Sequence, residues 1–538
     1  MSDARALSDA LARAPAFALS PVGDGRDEVV LVPREGGAGA RVDLTDEGCA
    51  RVFAAWARRA DRVFVVERAS DLLRALLSRG VRVRRPICLA TLRRVTDAPG
   101  REERAPPGDA ASARDRADGL FAELDTALAR VDAQEQKKVA RLECLVLPAF
   151  AAMEVRGLAI DVAAWRALVD VERARAHDAR AATLAALGDA VDRDLFGTPL
   201  LALENDHDVK AALGRALGHT LPDVSKWTLQ GVQHAAIAPL LAFREAHKVV
   251  STYGDAFLAH VDAKTGRLHA RFEPLGASTG RVSSREPNLQ NLPSERAFHE
   301  ALRAPEGRAI VTADYATCEL RILADLSGDE VFIDSFRRGE DLHSRVATTI
   351  FKKPVSKSEN PELRARAKAI NFGLMYGMGA PALAAATEQS VADAERLLDA
   401  YFAAFPRIRR YLEDSVDRAL QKGYAETVLG RRLRFDDDVL KSPNARGELS
   451  RIARNMPIQG TSADMTKLAM VLVHERLMGF TDAGLVNSVH DELVVECVAD
   501  EAPAVAAAVR EEMCAAHTTL LRRVPPEVDV HTGPHWAH

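Results

Sequence analysis

No apolar run in the 538 residues reaches the roughly 18 that a membrane-spanning helix requires. The opening stretch, MSDARALSDALARAPAF, lacks the continuous apolar segment of a secretory signal. The six cysteines (Cys49, Cys88, Cys144, Cys318, Cys497 and Cys514) are scattered and form no CxxC pair, which argues against a disulfide framework or a zinc site. These absences fit a protein of the reducing cytoplasm with no membrane association. Internal repeats and low-complexity tracts are missing too, so a solenoid or a fibrous chain is excluded. What is present is ordinary for a globular protein: 47% hydrophobic and 28% charged residues. The length suggests about three to five domains or subdomains.

Lysine is scarce, at 13 of the 72 basic residues, and the net charge is −5. Neither figure suggests nucleic acid, but the distribution is uneven. Residues 51–95 hold twelve arginines and three acids, so this stretch carries +9 and the remainder −14. Enzymes of nucleic acids need not be basic overall, because metal-binding carboxylates offset a basic groove. An arginine-rich codon bias accounts for the same run equally simply.

Residues 1–100 read as short strands and helices, with candidates at 28–33, 62–67 and 71–79. A linker rich in Pro, Gly and charge spans 98–111. A helix follows, with Leu120, Leu124, Leu128 and Val131 assigned to its buried face. Alanine-rich helical sequence continues to about residue 261, broken near 197–199 and 218–225. From about residue 268, strand-like runs alternate with helices and polar loops.

Three segments of this second half carry chemistry. In VTADYATCELRILADLSGD (311–329), a short buried strand over 309–313 delivers Asp314 to its end, and a helix hides Leu320, Leu323 and Leu326. A carboxylate at a strand end beside polar backbone is a natural ligand for a hard cation, although alone it reads as well as an acid placed for the helix dipole. In RARAKAINFGLMYG (364–377), Arg364, Lys368, Phe372 and Tyr376 recur every four residues and form a slowly drifting stripe on one helix face. Two cations followed by two rings suit a polyphosphate at one end and a base at the other. In SVHDELVVE (488–496), strands over 485–489 and 493–498 flank Asp491 and Glu492, which are expected at a hairpin turn. Two distant aspartates with a cationic helix between them suggest two divalent ions serving an in-line displacement.

These segments resemble motifs A, B and C of family A DNA polymerases, the bacterial DNA polymerase I class, in order and in internal spacing. The likeness runs from about residue 145 to residue 538. STGRVSSREPNLQNLP (278–293) resembles the family's primer–template segment, KVVSTYGD (248–255) its thumb, and ARNMPIQGTSADMTK (453–467) the helix after its fingers. HTGPHWAH resembles the family's C-terminus, so the chain is expected to be complete there.

The resemblance implies an α+β right-hand fold of thumb, palm and fingers. It implies DNA-templated DNA synthesis by a monomer from primer–template DNA and dNTPs. Asp314 and Asp491 would bind two Mg²⁺ ions, for which Mn²⁺ can substitute. The Tyr315 carbonyl would complete one shell, and Glu492 would act in support. Arg364 and Lys368 would hold the triphosphate, and Lys368 would also serve as an acid toward pyrophosphate. His343 would add a phosphate contact, and Phe372 and Tyr376 would frame the nucleotide and the templating base. Glu319, braced by Tyr376, would exclude ribonucleotides by their 2′-hydroxyl. Arg281 and Gln459 would reach the minor groove, where acceptors common to every correct pair test shape without reading sequence. Asn455 and Arg451 would help position template and nucleotide, and Asn288, Gln290, Asn291 and His490 would bind DNA.

There are departures. DYATCELR stands where the family usually has DYSQIELR, with Ala316, Thr317 and Cys318 replacing Ser, Gln and Ile. Both acids survive, and Cys318 reads as a small core residue. The N-terminal part resembles a 3′–5′ exonuclease domain that has degenerated. FALSPV and EVVLVP carry no D-x-E. Asp71 aligns with the acid of a second exonuclease segment. Either Asp115 or Arg116 falls at the third acid, and the tyrosine expected four residues earlier is Ala111 or Ser112. No proofreading is expected, and no 5′-nuclease domain is expected to precede this one. The expected divisions are a degenerate exonuclease-like domain at 1–120, thumb and connecting helices at 121–267, palm at 268–335, fingers at 336–450 and palm again at 451–538. A single-subunit RNA polymerase is disfavoured by Glu319, and a catalytically silent DNA-binding relative by the intact Asp314, Asp491, Arg364 and Lys368.

Overall fold

The computed structural model describes residues 4–12, 14–22, 27–34, 39–59, 61–96, 110–375 (backbone only at 110–113), 377–387, 389–436, 438, 440 and 445–537. The linker expected over 98–111 lies almost entirely outside these residues, as does Tyr376. The chain forms two compact units, one of residues 1–157, 270–285 and 307–533, the other of 158–269, 286–306 and 534–538. Among the described residues no helix is long and apolar enough to cross a membrane. All six cysteines are unbridged.

The larger unit begins with a five-stranded sheet in the order Ala40–Asp43, Glu28–Pro33, Ala16–Pro21, Val63–Val66, Pro86–Cys88. The first three strands run antiparallel and the last two parallel. The strand Ala16–Pro21 is buried at Phe17, Ala18, Leu19 and Ser20, so its side chains are committed to packing on both faces. Helix Ala110–Ala133 covers this sheet. Residue 120, the expected end of the first domain, falls inside that helix. Its Leu120, Leu124, Ala127 and Val131 share one core with Phe17, Leu31 and Phe64. Leu128 was expected in that core and is instead 38% exposed.

The second sheet of this unit has four antiparallel strands in the order Gly484–Val489, Glu492–Val498, Arg308–Tyr315, Val528–Gly533. The strand expected over 309–313 is longer, and Asp314 lies within it, opposite Glu492 on one side and Asp529 on the other. Thr317 then turns left-handed (φ 50°, ψ 42°) and starts helix Cys318–Ser327. Leu320 and Leu323 of that helix are fully buried, whereas Leu326, expected with them, is half-buried.

The smaller unit is mainly helical. Helices Val162–Leu187 and Ile237–Tyr253 pack along each other. Trp165 Nε1 donates to Tyr253 O at 2.8 Å, and the indole stacks on Phe257 with centroids 4.8 Å apart. Asn288, Gln290 and Asn291 belong to this unit. Gln290 N donates to Asn288 Oδ1 at 2.9 Å, and the Tyr253 hydroxyl donates to Asn291 O.

Candidate active site

The hairpin that carries Asp491 turns on two residues, His490 and Asp491, with His490 at φ 52°. Glu492 was expected at this turn. It is instead the first residue of strand Glu492–Val498, it is buried, and it faces Asp314 in register. The turn is therefore one residue tighter than expected, and the exposed Asp314 and half-buried Asp491 stand at one end of the sheet. Burial pushes the Asp491 carboxyl above the ordinary aspartate range; nearby Glu319 adds to this and Arg281 opposes it.

Arg321 holds the turn after Asp314. Its Nε donates to Ala316 O and its Nη1 to Pro525 O, both at 2.8 Å, while the guanidinium lies 4.4 Å over the Phe336 ring. The Tyr315 hydroxyl donates to Met513 O at 2.7 Å, tying the strand to helix Ala502–Leu520. Cys318 is buried, its Sγ is 3.4 Å from Ser462 Oγ, and burial raises its pKa well above the ordinary thiol value. An inert core thiol follows.

Helix Pro361–Met375 presents Arg364, Lys368 and Phe372. Arg364 grips Asp341 through Nε (2.6 Å) and Nη2 (3.0 Å), which leaves Nη1 as the edge for another anion. Lys368 is exposed. Phe372 is half-buried against His343, with centroids 5.8 Å apart. His343 itself is buried, its Nδ1 is 3.0 Å from Asn371 Nδ2, and burial lowers its pKa to about 4. At neutral pH it is an uncharged ring, so any phosphate contact it makes is a single hydrogen bond.

Helix Arg446–Leu477 carries Arg451, Asn455 and Gln459 at four-residue spacing on one stripe. Gly377 lies flush against Arg451, where a Cβ would come within 2.7 Å of its Cγ. Arg281 was expected in the minor groove and Glu319 at the sugar. The two side chains also pair with each other, Nη2 to Oε1 at 2.7 Å, a contact that leaves both expectations standing.

Sequence reasoning missed four buried charges beneath this region. Arg431 donates to Asp464 Oδ1 from Nε (2.8 Å) and Nη2 (2.6 Å) and also to Glu143, while Lys467 Nζ donates to Glu143 at 2.5 Å. Glu143, Asp464 and Lys467 are 0% exposed and Arg431 5%. Burial lowers the Lys467 pKa to about 8, with Glu143 opposing. Asp464 and Lys467 stand three apart in the continuously buried stretch 460–467 of helix Arg446–Leu477, and no sequence pattern pairs them with Glu143 or Arg431.

In the N-terminal part, the acids that the exonuclease resemblance singled out are neutralised or turned outward. Asp71 pairs with Arg74 and lies 3.9 Å from Arg271. Asp115 is exposed, while Arg116 reaches the first strand and donates to Pro21 O at 3.1 Å. The arginine-rich run is largely engaged in ion pairs. Arg79 meets Asp27, Arg84 meets Glu475, Arg93 meets Glu67 and Glu123, and Arg94 meets Glu273.

Comparison with known proteins identifies the family and the fold. The family described as DNA polymerase family A matches residues 209–538, more than half of the sequence. The chain belongs to DNA polymerase family A. It is 37% identical over 404 residues to the thermostable DNA polymerase I of Thermus thermophilus, covering 72% of this chain and 46% of that protein. It is 36% identical over 423 residues to DNA polymerase I of Mycobacterium tuberculosis, covering 77% and 46%. The chain thus spans about half the length of the curated relatives it matches. A solved structure, the POL domain of Pol1 from M. smegmatis in complex with DNA primer-template and dNTP, superposes with a TM-score of 0.84. It is 29% identical, over 99% of this chain and 97% of that one. The fold is that of a family A polymerase, mixed α and β.

Proposed function

We propose that this chain extends the 3′-hydroxyl of a DNA primer with dNTPs on a DNA template and releases pyrophosphate. The observation that carries the reading is the register of the four-stranded sheet. It sets Asp314 opposite Glu492, and so beside Asp491, joining two segments that are remote in sequence. The palm is assigned to 268–335 and 451–538, the fingers to 336–450, and the thumb with its connecting helices to 121–267. Arg281, Asn288, Gln290, Asn291, Arg451, Asn455, Gln459 and His490 are assigned to primer and template, with Arg281 and Gln459 reaching the minor-groove acceptors. The test is primer extension with Mg²⁺ and either dNTPs or NTPs. Template-directed growth with dNTPs is expected, and no growth with either set would overturn the proposal.

The donor set suits magnesium. Asp314, Asp491 and the Tyr315 carbonyl offer only oxygen, and few protein ligands are needed because Mg²⁺ keeps several waters. When bound, two such ions, or Mn²⁺ in their place, supply the charge that activates the primer hydroxyl and stabilises the leaving pyrophosphate. The protein's own groups do the rest. Arg364 and Lys368 hold the triphosphate, Lys368 Nζ gives a proton to the leaving oxygen, and Phe372 orients the sugar. Glu319, fixed by Arg281, closes the space a 2′-hydroxyl would need. Forcing atoms into a filled site costs about 1–3 kcal/mol. Glu319→Ala is therefore expected to lower the dNTP-to-NTP efficiency ratio roughly 5- to 150-fold. An unchanged ratio places the gate elsewhere.

No proofreading is part of this proposal. A two-metal hydrolytic site needs converging carboxylates, and the first strand, Ala16–Pro21, carries none, while Arg116 reaches its end. The purified protein is expected to leave a 5′-labelled single strand intact with Mg²⁺ or Mn²⁺. Shortening that disappears in Asp71→Ala or Asp115→Ala would show a live second site.

A further inference from the structure

We infer that Glu143, Arg431, Asp464 and Lys467 form a buried positioning platform for the segment Thr279–Arg281, and that Glu143, which lies ahead of the family-matching region, belongs to the polymerase machinery. The inference rests on the polymerase reading above and adds a part to it.

The platform begins in the loop Thr427–Arg431 between strands Tyr424–Glu426 and Arg432–Arg434. Thr427 Oγ1 donates to Asp464 Oδ2 at 2.7 Å, and Val428 N donates to Thr461 Oγ1 at 3.1 Å, so the loop is fastened to helix Arg446–Leu477. On its other side Gln136 Nε2 donates to Gly430 O at 2.5 Å, and Glu143 of helix Lys137–Leu145 receives both Arg431 and Lys467. Two acids and two bases thus balance in a site closed to water.

Thr279–Arg281 rests on this platform with no room to spare. Gly280 has φ +85°, and a Cβ there would lie 2.6 Å from Arg431 Nε and 2.7 Å from its Cζ. A Cβ on Gly460 would lie 2.5 Å from Thr427 Cγ2 and 3.2 Å from Thr279 O. The backbone is therefore held between the Arg431 guanidinium and Gly460, one residue before Arg281, whose side chain pairs with Glu319. Desolvating four charges is a poor route to stability, because well-packed apolar residues of similar volume do as well. What a charge network adds is a fixed guanidinium plane, held by Asp464 on one helix and Glu143 on another. Loss of the Glu143 charge frees Arg431 to tilt, and the tilt is passed to Gly280 and so to Arg281.

The experiment uses the full chain and a primer whose terminal guanine is 3-deazaguanine, which lacks the minor-groove N3 acceptor. Wild type is expected to extend this primer at least tenfold less efficiently than the normal one, and Arg281→Ala to show little difference between the two. Glu143→Gln keeps the side chain's volume and removes its charge. It is expected to lose most of the analogue sensitivity, as Arg281→Ala does, while KM for dNTP on the normal primer changes less than twofold. Thermal melting checks that the variant is folded. Gly280→Ala disturbs the same contact from the segment itself, is expected to show the same loss, and decides the matter if Glu143→Gln melts below the assay temperature. Folded variants that keep wild-type sensitivity to the analogue overturn the platform while leaving the polymerase reading intact. A wild type that extends neither primer overturns the polymerase reading instead.

Discussion

Asp314→Ala and Asp491→Ala are each expected to lower primer extension at least about a thousandfold, or about 4 kcal/mol of transition-state stabilisation. The size follows from the kind of group removed. Deleting one hydrogen-bond donor to a developing oxyanion already costs about 10²–10³ in rate, and an ionised ligand of a divalent ion contributes more. Duplex affinity is expected to persist, because it comes mainly from phosphate contacts remote from these acids. The fold itself supplies a control for Asp314. This residue sits across the sheet from Glu492 and Asp529, and like charges directly opposite one another destabilise a sheet. Asp314→Ala should therefore melt at the wild-type temperature or slightly above it, so that loss of activity cannot be ascribed to unfolding. Single-turnover extension, a duplex-binding isotherm and a melting curve make the measurement. Wild-type extension rates in either variant would sink the assignment of these aspartates as metal ligands.

How much of this was legible in the sequence depended on the range of the interaction. Asp314, Asp491 and the stripe Arg364, Lys368, Phe372 are local patterns, an acid at the end of an apolar strand or a four-residue repeat on a helix, and they could be read directly. Glu492 was misplaced because the turn closes on His490 and Asp491, with His490 at φ 52°. No glycine or asparagine marks that position, so nothing announced so tight a turn. Leu128 was misplaced for a geometric reason. Eight residues on from Leu120, a helix has turned about 80° past its starting face, whereas seven residues on it lies about 20° short of it. Ala127 accordingly takes the core position and Leu128 faces outward. The quartet of Glu143, Arg431, Asp464 and Lys467 was not legible. Its members come from three segments far apart in sequence, and no local period links them. The pairing of Arg281 with Glu319 was hidden in the same way, since each residue had been given a separate partner in the substrates.

Phe372→Tyr is expected to raise the efficiency of dideoxynucleotide incorporation at least about tenfold while that of ordinary dNTPs hardly moves. Phe372 follows Lys368 by four residues on helix Pro361–Met375 and is half-buried against His343. Burial holds that imidazole uncharged at neutral pH, and it already faces Asn371 through Nδ1. His343 therefore adds no charge beside the ring, and ordering the phosphates of a nucleotide that arrives without a 3′-hydroxyl is left to Arg364 and Lys368. An ordinary dNTP can turn its own 3′-hydroxyl toward its phosphates. A dideoxynucleotide cannot, and a phenyl ring offers no donor in its place. A tyrosine hydroxyl at 372 restores one, and a hydrogen bond to a charged group contributes roughly 1.5–3 kcal/mol. At ~1.4 kcal/mol per decade, that is roughly a 10- to 150-fold gain. The dNTP gains little, because its hydroxyl already makes the bond. Comparing ddTTP with dTTP incorporation in the two proteins tests the argument, and an unchanged ratio would mean that the ring of Phe372 does not face the sugar.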